Sequence, residues 1–360
     1  MPPRSRSITS PPRWARGRFF RFSCRNEDGQ NRHCNFAARA GYAVAGAPNV
    51  SNLSDPIYGG IEAGGTKFVC AVGRAPDGVL EEARFATRGP EETLAEALSF
   101  LRAAHSKYGL AAIGIATFGP AVVDPVSPDW GCIGKTPKAG WSGTDLAGPF
   151  VRAFAVPVGF DTDVNGAGLA EARWGAAQGT AQSVYVTVGT GIGGGIIVNG
   201  QPLHGLQHPE LGHIRVVRPE GERAPGICSF HGDCLEGLAS GPAIKARWGA
   251  ELGELPPDHP AWRAEADYLG QLCAQLVLTV SPQRIVLGGG VMSHPALFTP
   301  IRAATRARLG AYVPALEQSG AMEALIVPPA FGARAGMLGA LALASDRALS
   351  MAASKSSAGP

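Results

Sequence analysis

The segment Tyr58-Gly-Gly-Ile-Glu-Ala-Gly-Gly-Thr-Lys-Phe-Val-Cys-Ala-Val-Gly73 decides the fold class. Runs of strand-forming residues flank Gly64-Gly65-Thr66, so the stretch predicts two short strands joined by a glycine turn. The theme returns about 125 residues later in Ser183-Val-Tyr-Val-Thr-Val-Gly-Thr-Gly-Ile-Gly-Gly-Gly-Ile-Ile-Val198. Two such hairpins point to two related units facing a common ligand. A third signal, Arg284-Ile-Val-Leu-Gly-Gly-Gly-Val-Met292, reads as a buried strand ending in glycines. Between these lie helical spacing over 91–108, through Leu94, Ala97, Leu98 and Leu101, and apolar strands at 112–116 and 156–160. A loop rich in Gly, Pro and Trp runs from Phe118 to about Trp141, and helical periodicity returns at 169–174, 264–280 and 337–343. Strand, turn and helix alternate, which makes the class α/β.

Composition narrows the functional classes. The 360 residues include 49 glycines and 29 prolines beside 45% hydrophobic residues, a turn-rich globular chain rather than a low-complexity one. No apolar run reaches the roughly 18 residues of a membrane-spanning helix. The net charge of +3 is uneven, because residues 1–56 hold nine arginines against Glu27, Asp28 and Asp55. That leaves the body with a net charge of −3 and no bulk basicity for nucleic acid. Residues 1–56 read as a disordered basic extension. Their Arg-rich, acid-poor composition also resembles a transit peptide, a reading that the aromatic cluster Phe19, Phe20 and Phe22 weakens. Seven sparse cysteines fit a reducing compartment, hence the cytoplasm, better than a disulfide framework.

The chemistry concentrates in three places. Gly64-Gly65-Thr66-Lys67, Gly189-Thr190-Gly191 and Gly288-Gly289-Gly290 expose successive backbone N–H groups that can converge on phosphate oxygens. Neither a Walker loop nor a well-placed dinucleotide fingerprint is present. Asp161-Thr-Asp-Val-Asn165 follows a strand, where open α/β sheets place ligands. Asp161 is expected to cap the following helix, and Asp163 to take a proton from an attacking hydroxyl in phosphoryl transfer. His213 followed by Cys228-x2-His231-x2-Cys234 supplies the N/S set of a closed, structural zinc site. Glu210, His213 and Glu236 bracket that element and are candidates for holding a polyol.

On these residues the sequence resembles the ROK family of sugar kinases, and within it the bacterial fructokinases. The resemblance runs from about Tyr58 to Leu343. It is carried by Glu62-Ala-Gly-Gly-Thr-Lys67, Thr136-Pro-Lys-x-Gly-Trp141, Asp161-Thr-Asp-Val-Asn165, His208-Pro-Glu-Leu-Gly-His213 and Cys228-Ser-Phe-His-Gly-Asp-Cys-Leu-Glu-Gly-Leu-Ala-Ser-Gly-Pro-Ala-Ile244. It implies a two-domain actin-like (ribonuclease H-like) ATPase fold and transfer of the γ-phosphoryl of MgATP to a hexose. Asp163 then stands at the general base, and Asp163, Glu210, His213 and Glu236 at sugar contacts. His213, Cys228, His231 and Cys234 stand at the zinc ligands. Gly64, Gly65, Thr66, Lys67, Thr187, Gly189, Thr190, Gly191 and Gly288 to Gly290 stand at the ATP contacts. Glu62 replaces the Asp found in much of the family and would reach magnesium directly or through water. His231 replaces a Cys and Thr162 an Asn, changes shared with fructokinase-like members.

The resulting expectation is an ATP-dependent fructokinase, cytoplasmic, homodimeric as the resemblance implies, with no nucleic-acid or membrane partner. Its expected parts are the extension 1–56, a small domain over 57–165 to which a helix at 333–348 returns, a large domain over 166–332, and an irregular tail over 349–360. Glucose, mannose or an N-acetylated hexosamine are the alternative acceptors. A sugar-responsive repressor is the alternative from another class, though residues 1–56 show no pair of amphipathic helices.

Overall fold

The computed structural model describes residues 56–219 and 221–357, together with two short strands at 23–25 and 31–33. Those strands, β1 (Ser23–Arg25) and β2 (Asn31–His33), pair antiparallel with Cys24 opposite Arg32, in a unit of their own at the start of the chain. The rest of the extension expected over 1–56 lies outside the described residues.

The remaining chain forms one compact unit. Its first half builds a sheet from β3 (Tyr58–Ala63), β4 (Lys67–Arg74), β5 (Gly78–Ala86), β6 (Ala112–Thr117) and β7 (Val158–Thr162), in the order β5-β4-β3-β6-β7. The first three run as an antiparallel meander, whereas β6 and β7 join parallel to β3. Helix α1 (Pro90–Tyr108) provides the crossover to β6, and α2 (Gly148–Ala153) precedes β7. The second half repeats this plan with β8 (Gln182–Val188), β9 (Ile192–Val198), β10 (Gln201–Pro202), β11 (Arg284–Gly288) and β12 (Ile326–Val327), in the order β10-β9-β8-β11-β12. The two glycine hairpins are thus the corresponding β3-β4 and β8-β9 turns of two sheets of like topology. Helix α3 (Asp163–Trp174) links the halves. Between β10 and β11 come α4 (Leu235–Ala239), α5 (Gly241–Trp248) and α6 (Pro260–Val280), and before β12 come α7 (Phe298–Leu309) and α8 (Ala321–Leu325). Helix α9 (Ala335–Ser357) follows β12.

Strand alternation explains how each sheet is covered. On β4, Phe68, Cys70 and Val72 pack with Leu94, Ala97 and Leu101 of α1, whereas Val69 and Ala71 face Met337, Leu338 and Leu341 of α9. On β8, Val184, Val186 and Val188 pack with Tyr268, Leu269 and Leu272 of α6, and Tyr185 faces Val164 and Ala167 of α3. Helix α9, in the region where a helix is expected at 333–348, packs against the first sheet. It continues to Ser357, across much of the segment expected to be irregular, because Leu349, Met351, Ala352 and Ala353 favour helix.

Helices α3 and α9 lie back to back between the sheets, and glycine makes that approach possible. A Cβ added to Gly339 would sit 2.1 Å from the backbone C and O of Gly166. Arg173 of α3 pairs with Asp346 of α9. Glu171, fully buried on α3, accepts from Ala176 N (2.7 Å), Ala330 N (3.0 Å) and Phe331 N (3.0 Å), tying α3 to the chain entering α9. The start of α3 is thereby fixed between the two sheets. No helix among the described residues is long and apolar enough to cross a membrane.

Candidate active site

Strand β7 ends at Thr162 and α3 begins at Asp163, which puts Asp163 in the first helical turn. Thr162 is the helix cap, its Oγ1 accepting from Asn165 N at 3.2 Å. This corrects the expectation that Asp161 caps the helix. Asp161 is still in register on β7, opposite Ala116, and its carboxylate is engaged elsewhere. Oδ1 accepts from Thr162 N and from Asn165 Nδ2, both at 2.7 Å, and Oδ2 lies 3.0 Å from Nε2 of His204. The hydrogen bond to Asp161 pushes the imidazole pKa of His204 up.

Asp163 Oδ1 accepts from Val164 N at 2.8 Å. Burial, reinforced by the charge of Glu62 and to a lesser degree Glu210, pushes its carboxyl up to about 7. Such a group holds a proton or gives it up near neutral pH, as a general base requires. Glu62, on β3, has its own pKa raised by burial; Lys67 and the backbone N–H of Met337 at the start of α9 partly oppose this. Its Oε2 is buried with no hydrogen-bond partner among the described residues.

A second group converges from the other half. Glu210 is pushed up to about 7 by burial and then by Glu236. His208, buried, accepts from Ala121 N through Nε2 at 3.1 Å, so its ring proton resides on Nδ1, which faces Glu210 Oε1 at 3.5 Å. Glu236 lies on α4, and its Oε2 accepts from Ile192 N at 2.9 Å, binding it to the second glycine turn. A Cβ at Gly191 would come within 2.6 Å of that oxygen, so the glycine gives the carboxylate its room.

His213, Cys228, His231 and Cys234 come together with their ligand atoms all within 4.8 Å of one another. Nδ1 of His213 lies 3.5 Å from Cys234 Sγ and 3.7 Å from Cys228 Sγ, and His231 Nδ1 lies 3.7 Å from Cys228 Sγ. With Zn–S and Zn–N bonds of about 2.3 and 2.0 Å, a tetrahedron needs ligand separations of roughly 3.3–3.8 Å, so the N/S donor set fits zinc. Because Nδ1 of His213 faces this centre, Nε2 is the nitrogen left for another partner.

The glycine turns are built differently. In the first, Gly64 N donates to Lys67 O at 3.0 Å and Thr87 Oγ1 donates to Gly64 O at 2.7 Å, leaving Gly65, Thr66 and Lys67 exposed at the tip. In the second, Gly189 N donates to Gly191 O at 2.9 Å, and Gly241 N to Gly189 O at 2.8 Å. Gly288 pairs with Thr187 across the parallel β8-β11 ladder. Gly289 has φ +93, and a Cβ there would lie 2.4 Å from Val188 O, so glycine lets the third motif close against the second.

Several participants carry no sequence signal of their own. His204 lies outside every sequence motif and His208 only opens the His208–His213 one, yet His204 contacts Asp161 and His208 faces Glu210. Lys138, inside the Thr136–Trp141 motif, reaches the tip of the first turn and donates to Gly65 O. For His208 and Lys138, the motifs that contain them are the one signal that could find them.

Comparison with known proteins fits this geometry. The model of the ROK family matches residues 58–347. The chain is 46% identical to a fructokinase of Zymomonas mobilis over 293 residues, covering 80% of this chain and 96% of that protein. It is 38% identical to a fructokinase of Pediococcus pentosaceus, covering 80% and 97%. The crystal structure of a ROK hexokinase from Thermus thermophilus superposes with a TM-score of 0.67 at 28% identity, covering 82% of this chain and 99% of that one.

Proposed function

The chain belongs to the ROK family, and from that premise we propose that it is an ATP-dependent fructokinase that phosphorylates the 6-hydroxyl of D-fructose. The observation that carries the reading is the placement of Asp163. It sits at the start of a helix held between two hairpin-bearing sheets, with its carboxyl pushed to about 7 beside Glu62 and Glu210. The fructokinases at 46% and 38% identity, each covered almost end to end, support fructose as the acceptor.

In the reaction the deprotonated Asp163 accepts the proton of the sugar hydroxyl as that oxygen attacks the γ-phosphorus. The new O–P bond forms while the bond to the β-phosphate oxygen breaks, and ADP leaves with the electron pair. Glu210 and Glu236 orient the sugar by accepting from its hydroxyls, and Nε2 of His213 offers a further contact. Gly64 to Lys67, Thr187, Gly189 to Gly191 and Gly288 to Gly290 receive the nucleotide, and the backbone N–H groups not already donating inside the turns, as those of Gly64 and Gly189 do, meet phosphate oxygens. Magnesium fits Glu62, whose Oε2, buried and without a hydrogen-bond partner among the described residues, would hold it directly or through a water, and the ion would supply charge neutralisation on the phosphates. Zinc on His213, Cys228, His231 and Cys234 fits a structural role, since all four positions come from protein.

A coupled ADP-release assay across fructose, glucose, mannose and N-acetylglucosamine tests the substrate. Fructose should give the highest kcat/KM; a preference for glucose would refute the assignment while leaving the kinase in place.

A further inference from the structure

We propose that Lys138 is a catalytic residue that binds the transferring γ-phosphoryl group, a role that rests on the kinase reading above. Its ammonium donates to the carbonyl of Gly65 at the tip of the first glycine turn, across 73 residues of sequence. An ammonium carries three N–H donors, so one bond to Gly65 leaves two for a ligand. The surrounding space is open, because a Cβ on Gly65 would meet nothing within 4 Å.

The loop carrying Lys138 is held rigidly. Trp141, 0% exposed, packs tilted against Phe68 at 5.7 Å and edge-on against Phe118 at 5.5 Å, and its Nε1 donates to Arg88 O at 3.0 Å. Ser142 Oγ closes the loop by accepting from Thr136 N (3.1 Å) and donating to Thr136 O (3.0 Å). Phe68 lies in β4 immediately after the turn, so anchor and turn form one body. The backbone that carries Lys138 is therefore held beside the turn, and the ammonium reaches Gly65 from there.

Charge gives the position its purpose. Asp163 and Glu62 already repel each other, and the body of the chain is net negative by composition. A γ-phosphoryl group arriving there carries negative charge spread over its three equatorial oxygens through the transition state and needs a fixed cation. Lys67 acts electrostatically on Glu62, and Lys135 of the same loop lies 5.9 Å over the Phe230 ring. Lys138 reaches the tip of the turn from another loop.

Two roles compete: binding the γ-phosphoryl, or only bracing the turn through Gly65. Calorimetric binding of MgADP and of a non-hydrolysable MgATP analogue to Lys138→Met and Lys138→Arg separates them without any sugar present. The γ-phosphoryl role predicts that Lys138→Met weakens the ATP analogue at least about tenfold and leaves ADP within about twofold. It also predicts a kcat loss of about 100-fold, an unchanged fructose KM and an unchanged melting temperature, with partial recovery in Lys138→Arg. Equal weakening of both nucleotides, no weakening of either, or a wild-type kcat would each overturn it. Because the binding arm needs no acceptor, failure of the fructose assignment would show in wild-type turnover and leave the test of Lys138 intact.

Discussion

Replacing Asp163 with Asn separates what the residue does for catalysis from what it costs the fold. Its carboxyl rises from an ordinary 3.8 to about 7, chiefly by burial. Three pKa units correspond to a ceiling of about 4 kcal/mol at 1.36 kcal/mol per unit. Partial exposure and screening reduce this to roughly 2 kcal/mol. The sign follows from proton uptake: a carboxyl whose folded pKa is raised loses stability as pH climbs from the unfolded value towards the folded one. Wild type is therefore penalised increasingly between about pH 4 and 7, and fully above 7. Asn keeps the volume and an Oδ1 able to accept from Val164 N, the contact that Asp163 makes at 2.8 Å. Asp163→Asn should thus melt about 4 °C above wild type at pH 8, with the gap closing as pH falls towards 4. Turnover should drop by about 100-fold or more with sugar binding retained. Calorimetric melting at several pH values and steady-state kinetics read both effects. A variant no more stable than wild type at pH 8 would show that burial does not strain this carboxylate, and one with wild-type kcat would remove Asp163 from proton transfer.

Further outcomes follow from the same geometry. Asp163 and Glu210 are both pushed to about 7, so kcat/KM should fall on the acid side with a logarithmic slope above one; Glu210→Gln should return it to one, and a flat profile from pH 5.5 to 8 would contradict both assignments. Chelation should lower the melting temperature and raise the fructose KM together if His213, a member of the Cys/His group, also contacts the sugar as proposed; metal analysis with unchanged melting after removal would discard the structural role. Gly339→Ala places a Cβ 2.1 Å from Gly166, where ordinary contact begins at 3.4 Å. Helices α3 and α9 must separate by about 1 Å at a cost of roughly 1–3 kcal/mol, and a melting temperature equal to wild type would show that the helices are not so closely packed.

What the sequence makes legible is local. The glycine turns announce themselves by composition, and the Cys/His loop by spacing, so both lie in the structure where the sequence puts them. The position of Asp163 is also legible, because strand, turn and acid follow one another within a few residues. Asp161 is misassigned for a physical reason: both it and Thr162 have oxygens suited to capping. The choice is made by the pairing of Asp161 with Ala116 and its contact with His204, neither visible in local sequence. The edge strands β5 and β10, which give the two sheets their shared order, have weak patterns of their own. Lys138 meets Gly65 only after the chain has folded, so its motif names the residue without its partner.

The kinase reading is tested most directly by the product made from fructose and MgATP, identified by phosphorus NMR with wild-type protein and with Asp163→Asn in parallel. Wild type should yield stoichiometric ADP and fructose 6-phosphate, and the variant almost none. Phosphate on another position, free phosphate without a sugar ester, or equal product from both proteins would contradict that chemistry.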